Sequence, residues 1–314
     1  MILAPDSWWQ LRTECVRELM ATSFTHGMGG MARTEPRLAA ALRDLLARPG
    51  SLVRSATSYL IGIEMGMTEG AARAVACGIE YLHTASLVFD DFPAMDDART
   101  RRGAACVHVS HGESIATLAA LALINRGYAL LWQGIHRAHP ARRAQAAQWV
   151  DARLGIDGVI GGQAHDLSGW RADQDAAEVS EVAARKTGDL LRLTVVLPAI
   201  LGRATPREIQ QLDRLALLRG LAYQAADDLK DVLVPASATG KTGGRDAVLG
   251  RPNLVAAEGL QAAVARCHRL AATGDRVQAA LPGPPERWGM LELLCVALPA
   301  AIVSPQPSAI SAAG

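Results

Sequence analysis

The stretch DDFPAMDDARTRRG gathers Asp90, Asp91, Asp96 and Asp97 and follows them at once with Arg99, Arg101 and Arg102. The residues before it, EYLHTASLVF, are apolar and read as the end of a buried helix that Pro93 breaks. Carboxylates at the mouth of an apolar wall are costly unless something pairs with them. A hard cation such as Mg2+ accepts their oxygens, through one or two carboxylates together with substrate phosphates. Neighbouring arginines would then grip those phosphates. An acidic surface turn balanced by basic neighbours would carry the same residues.

A second cluster shifts the weight towards chemistry. AYQAADDLKD carries Asp227, Asp228 and Asp231. On a helix Asp227 and Asp231 share one face, with Gln224 on the same side. Like charges at that spacing destabilise a bare helix, and a cation between them removes the conflict. Two such clusters, far apart in sequence and each on an apolar helix, are a more specific signal than either alone.

The paired stretches, DDFPAMD followed by RRG and YQAADDLKD followed by GKTGGRD, resemble the two aspartate-rich motifs of the trans-isoprenyl diphosphate synthases of the polyprenyl synthetase family. The resemblance covers roughly residues 35 to 260. It implies an all-α bundle around a central cavity, the type I isoprenoid synthase fold. It also implies a Mg2+-dependent condensation of an allylic diphosphate with isopentenyl diphosphate. By this resemblance Asp90, Asp91 and Asp96 face Asp227, Asp228 and Asp231 across a cluster of three Mg2+ ions bridging to the allylic diphosphate. Arg101, Lys186 and Lys241 match the positions that touch that diphosphate, and Thr187 and Gln224 complete the polar shell. The loop after the second cluster matches a flap, with Lys241, Arg245 and Arg251 turned inward in some combination.

The pocket for isopentenyl diphosphate is matched by Gly50, Ser51, Arg54, His83 and Arg102. Ser51 stands where the family usually has lysine, so one expected cation is missing; Arg48, three residues upstream, could replace it. His83 could equally be a satisfied core histidine. Gln163 and Asp166 of GGQAHDL match a glycine-glutamine-x-x-aspartate motif and are read as groups that orient Lys186 or the metals. His108 and His111 receive no role. Upstream of Asp90, Ser86 and Ala85 lie about one turn down the helix, roughly 6 to 7.5 Å away. The family uses large aromatics there to stop growth early. Both residues are small here, so the next bulky candidate for a floor is Leu82, and the expected product is geranylgeranyl diphosphate (C20), with farnesyl diphosphate next. A class I terpene cyclase-like ionising enzyme and a non-catalytic partner subunit are the alternatives.

Composition is consistent with that reading. Half of the 314 residues are hydrophobic, so a large core can form, while aromatics are few and alanine and leucine favour helices. A formal net charge of +1 argues against a nucleic-acid-binding surface. Five scattered cysteines without CxxC spacing point to a reducing compartment and no zinc site. The N-terminus lacks the pattern of a signal peptide, and the most apolar segment, Leu190 to Gly202, is too short for a membrane span. A cytoplasmic homodimer is therefore expected, the dimer by resemblance only.

The hydrophobic pattern predicts helices over 6–23, 35–47, 51–66, 69–89, 113–137, 141–168, 176–202, 204–233, 253–272 and 287–302. Residues 24–33 and 234–252 read as connections, and no stretch alternates as a strand. The expectation is a single all-α domain over 1–303, with a disordered tail from Ser304.

Overall fold

A computed structural model describes residues 5–169, 174–233 and 250–296, with side chains from residue 12 onward. Lys241, Arg245 and the tail from Ser304 lie outside the described residues. The chain is helical nearly throughout, as expected. In order come α1 (Pro5–Gly27), α2 (Pro36–Leu46), α3 (Val53–Glu64) and α4 (Glu69–Asp90). Then follow α5 (Val107–His111), α6 (Glu113–Arg137), α7 (Pro140–Leu154), α8 (Val159–Leu167) and α9 (Ala176–Ala183). A π-helical turn (Ala184–Gly188) joins α9 to α10 (Asp189–Leu201), and α11 (Pro206–Leu233), α12 (Leu254–Glu258), α13 (Leu260–Ala279) and a 3₁₀ segment (Pro285–Leu294) complete the described chain.

The centre is α4. Thr68 caps its first turn by accepting from the Ala71 amide, and the helix stops at Asp90, three residues before Pro93. Its buried residues feed two hydrophobic clusters. Val75, Ala76, Ile79 and Leu82 meet α3, α7, α10 and α11, while Ala74, Cys77, Tyr81, Ala85 and Val88 meet α1, α2, α5 and α6. The approach to α6 is close because glycines stand at the crossing. A Cβ on Gly78 would lie 2.9 Å from the Gly127 carbonyl, and one on Gly127 would lie 2.9 Å from Leu82. The Tyr81 hydroxyl donates to the Phe24 carbonyl at 2.6 Å and fastens α1 to this centre.

Several boundaries differ from the sequence pattern. Helix α1 continues through Gly27, into the stretch read as a connection. The helix expected over 141–168 is split by Gly155 to Gly158 into α7 and α8, because Gly155 and Gly158 interrupt the ladder. Helix α13 runs on to Ala279, and the segment from Pro285 winds as a 3₁₀ helix. A two-stranded hairpin also appears, pairing Thr100 with Ala105 and Arg101 with Ala104. Its two turn residues, Arg102 (φ 53°) and Gly103 (φ 74°), both have positive φ, the requirement of a type I′ turn. Among the described residues α6, rather than 190–202, is long and apolar enough to cross a bilayer, but one side of it is packed on α4.

Candidate active site

The first aspartate cluster sits where α4 ends, and each carboxylate there is held from a different element. Asp90 accepts from the Gln163 amide of α8 at 3.0 Å. Asp91 is buried and receives a bidentate grip from Arg101 of the hairpin, with Nε at 2.7 and 2.8 Å from its two oxygens. Asp96 accepts from Arg251 at 3.3 Å. Burial pushes the Asp90 carboxyl up to about 6, against the pull of Lys186, and Asp96 and Asp166 add to the rise while Arg101 opposes it.

Lys186 lies in the π-helical turn, a local widening of the helix that recurs at functional sites. Its ammonium donates to Asp166 at 2.5 Å. Burial works against its charge, but Asp166 and Asp90 outweigh burial and raise its pKa. The next residue faces the other way: the Thr187 hydroxyl donates to Gln224 of α11 at 2.8 Å, and Gln224 donates to Asp228 at 2.9 Å. Glycines permit this crossing. A Cβ on Gly162 would lie 2.4 Å from the Lys186 amide, and one on Gly220 would lie 2.8 Å from the Gly188 Cα. Neighbouring residues of one turn thus connect to both aspartate clusters.

The second cluster is not uniform. Asp227 and Asp231 are half-buried, whereas Asp228 is buried with an oxygen on Gln224 and the other accepting from the Leu254 amide at 2.9 Å. Asp228, expected among the metal ligands, also braces the chain entering α12, and Asp91 is gripped by Arg101. Among the described residues no three metal-ligating side chains already converge. Asp90, with Asp96 near enough to disfavour its charge, still suits a hard cation, which needs only one or two carboxylates when phosphates supply the rest.

A second group of polar residues forms further back along α4, where Arg54, His83 and Arg102 meet. Arg54 donates to His83 Nε2 at 3.2 Å, so His83 accepts as a neutral ring. Burial, reinforced by Arg54, Arg102 and Arg101, holds its pKa well below 6.5. The guanidinium of Arg102 lies against Gly50, where a Cβ would come within 2.3 Å, and donates to the Arg48 carbonyl at 2.8 Å. Ser51 is exposed. Arg48 is turned to Asp44, accepting no share in the Arg54–His83 pair among the described bonds. Sequence reasoning missed Glu80, a buried carboxylate that accepts from the Ser55 amide at 3.1 Å beneath Arg54. Burial raises its pKa and Arg54 opposes that rise. Its signal was an acid inside an otherwise apolar helix. All three non-glycine residues with positive φ among those described, Leu52, Asp97 and Arg102, stand in the loops around these two pockets. Such backbone strain gathers where function holds it.

Below the clusters, Ala85 is fully buried with Val88, Ile115, Ala116 and Ala119, and Ser86 donates to its own helix at the His83 carbonyl. Leu82 packs over Gly127 of α6.

The polyprenyl synthetase profile matches residues 35–278. The chain belongs to the polyprenyl synthetase family. Among its relatives, geranylgeranyl pyrophosphate synthase 11, chloroplastic, of Arabidopsis thaliana is 34% identical over 225 residues, 69% of this chain and 63% of that protein. The chloroplastic geranylgeranyl pyrophosphate synthase of Capsicum annuum is 33% identical, covering 71% of this chain and 61% of that protein. The chain thus spans under two thirds of the length of these relatives. Proteins of known structure share the fold: a Helicobacter pylori geranyltransferase complexed with magnesium and isoprenyl diphosphate has a TM-score of 0.80 at 23% identity, covering 94% of this chain and 97% of that one. An FPP/GFPP synthase from Zymomonas mobilis has a TM-score of 0.74 at 25% identity, covering 90% and 96%.

Proposed function

We propose that this family member is a Mg2+-dependent prenyltransferase that joins an allylic diphosphate to isopentenyl diphosphate, with geranylgeranyl diphosphate as main product and farnesyl diphosphate next. The observation that carries the reading is the pair Lys186 and Thr187, which ties the Asp90 side of the site to the Asp227 side through one turn of chain. In the reaction the allylic C–O bond breaks, the diphosphate leaves with the electron pair, the double bond of the second substrate attacks the carbocation, and a proton is lost. Bound Mg2+ would neutralise charge on the leaving diphosphate. Asp90, Asp96, Asp227 and Asp231 would hold it. Asp91 keeps Arg101 aimed at the diphosphate, and Asp166 does the same for Lys186. Lys241 is proposed as a further diphosphate contact from the sequence alone. Arg54 and Arg102, with His83 as a neutral acceptor, would take isopentenyl diphosphate. Apolar helices below exclude water from the cation.

Incubation with an allylic diphosphate, isopentenyl diphosphate and Mg2+ tests this. Longer diphosphates are expected; hydrocarbons would indicate a cyclase-like enzyme, and no turnover a non-catalytic subunit. Product length is read through the α4 wall: Ser86→Phe or Ala85→Phe should shift the product towards C15. Ala85 is fully buried, so its variant also carries about 1 to 3 kcal/mol of overpacking, and Ser86→Phe is the cleaner test. An unchanged product from both, in folded and active protein, would remove this wall from the account.

The outer face of α6 exposes Leu118, Leu121 and Trp132, with Val109 beside it. Apolar faces of this kind mark interfaces, and a second copy of the chain is the proposed cover; Leu121→Glu should yield monomers by sedimentation. The free thiols, three of them buried, suit a reducing compartment such as the cytoplasm.

A further inference from the structure

Arg251 is buried and its guanidinium reaches three acceptors on two separate elements. Nη2 donates to the Met95 carbonyl at 2.9 Å and to Asp96 at 3.3 Å, and Nη1 donates to the Asp166 carbonyl at 3.2 Å. Met95 and Asp96 belong to the loop of the first aspartate cluster. Asp166 is the residue whose carboxylate holds Lys186. Three residues beyond Arg251, the Leu254 amide is fixed by Asp228 of the second cluster, and Asn253 caps α12 by accepting from the Val255 and Ala256 amides. The short buried run from Arg251 to Leu254 therefore spans both clusters.

We propose that Arg251 is a positioning residue for the metal site, setting Asp96 and the Asp166–Lys186 pair at once and transmitting the placement of Asp228 to the first cluster. The resemblance left it among the cations turned towards phosphate; here its two Nη groups donate to three protein oxygens, and only the buried Nε is without a partner. A planar fork can serve three acceptors in fixed directions, whereas a lysine ammonium is a point charge on a flexible stem. Carbonyl acceptors also make this more than charge balance: two of the three oxygens are backbone, so the fork fixes where the loop and α8 lie. The inference deepens the proposed prenyl transfer and rests on it for the identity of the substrates.

The test compares wild type with Arg251→Lys and Arg251→Gln. Loss of groups that orient metal ligands typically costs about 10- to 100-fold in metal affinity. Both variants should need that much more Mg2+ for half-maximal turnover. The KM for isopentenyl diphosphate should stay unchanged, because none of the three acceptors of Arg251 belongs to the Arg54–His83–Arg102 pocket. A second readout needs no turnover: Mg2+ with inorganic diphosphate should raise the melting temperature of wild type and raise that of either variant less at equal concentrations. Should Arg251→Gln fail to fold, Arg251→Lys carries the same comparison. Full recovery of the Mg2+ response by lysine would overturn the proposal, as would an unchanged Mg2+ response in both variants or an equal rise in both substrates' KM. If wild type makes no longer diphosphate, the prenyl-transfer reading fails, and the melting experiment still decides the role of Arg251.

Discussion

The two aspartate pairs, Asp90–Asp91 and Asp227–Asp228, divide their labour alike but by different means. In each, the second member is buried and committed to the protein, and the first is left closer to the site. Asp91 is secured by a side chain, the guanidinium of Arg101 from a strained hairpin ten residues on. Asp228 is secured by a backbone amide, Leu254, that returns 26 residues later. The inward member of the first cluster is thus held locally and by charge, that of the second by the fold. Charge pairs depend on both partners, whereas an amide donor survives most substitutions around it. The two halves of the site should therefore fail differently when disturbed.

The largest effect is expected at the outward members. Asp227→Asn removes a proposed metal oxygen with little change of volume, and should lower turnover about a thousandfold, comparable with losing a main electrostatic stabiliser of a transition state. Stability should hold. Near wild-type turnover at saturating Mg2+ would show that the second cluster does not act through Asp227.

Next come the inward members. Asp91→Asn strands a largely buried Arg101, whose side chain is 23% exposed against 5% for its partner. Breaking such a pair costs about 3 kcal/mol. Asp228→Asn keeps one acceptor oxygen and loses one charge-assisted bond from an uncharged donor, so a smaller loss of about 1.5 kcal/mol is expected. Urea unfolding of the two variants measures the contrast, and equal losses would mean that the distinction between charge and amide has no energetic content.

Most of the frame could be read from residues alone. The 3.6-residue pattern locates α6 at its observed ends, and the pairing of DDFPAMD with YQAADDLKD singles out both clusters. What escaped was set by approach rather than by period. The π-helical turn at Lys186 exists where Gly162 and Gly188 let α8 and α11 come close, a relation between distant glycines that no local window contains. The hairpin is too short to alternate, although Gly103 after Arg102 was the turn signal that could have found it. Glu80 and Asp228 acquired their partners from α3 and α12, so their roles depended on the tertiary fold.

A smaller effect is expected at Ser51. The side chain is exposed, so an added charge would be screened, and Ser51→Lys should lower the KM for isopentenyl diphosphate by about fivefold, near 1 kcal/mol. No change would mean that Arg54 and Arg102 already saturate the pocket.

The smallest effect concerns protons in that same pocket. His83 is neutral in the folded protein and its pKa lies well below 6.5, because burial and three nearby arginines disfavour a charged ring. The unfolded chain has no such constraint. Below pH 6.5 the unfolded state takes up a proton that the folded state refuses, so His83 contributes stability above that pH and the contribution is lost as pH falls. The slope is at most about 1.4 kcal/mol per pH unit. Glutamine in place of His83 can still accept from Arg54 and cannot titrate. Unfolding free energies measured between pH 7 and pH 5.5 should therefore fall more steeply for wild type than for His83→Gln. Taking the difference between the two proteins cancels the opposite contribution of Asp90, which titrates near pH 6 in both. Superimposable profiles would mean that His83 takes up its proton as readily in the folded pocket as in the unfolded chain. Arg54 would then have no acceptor there, and the geometry assigned to the isopentenyl side of the site would have to be redrawn.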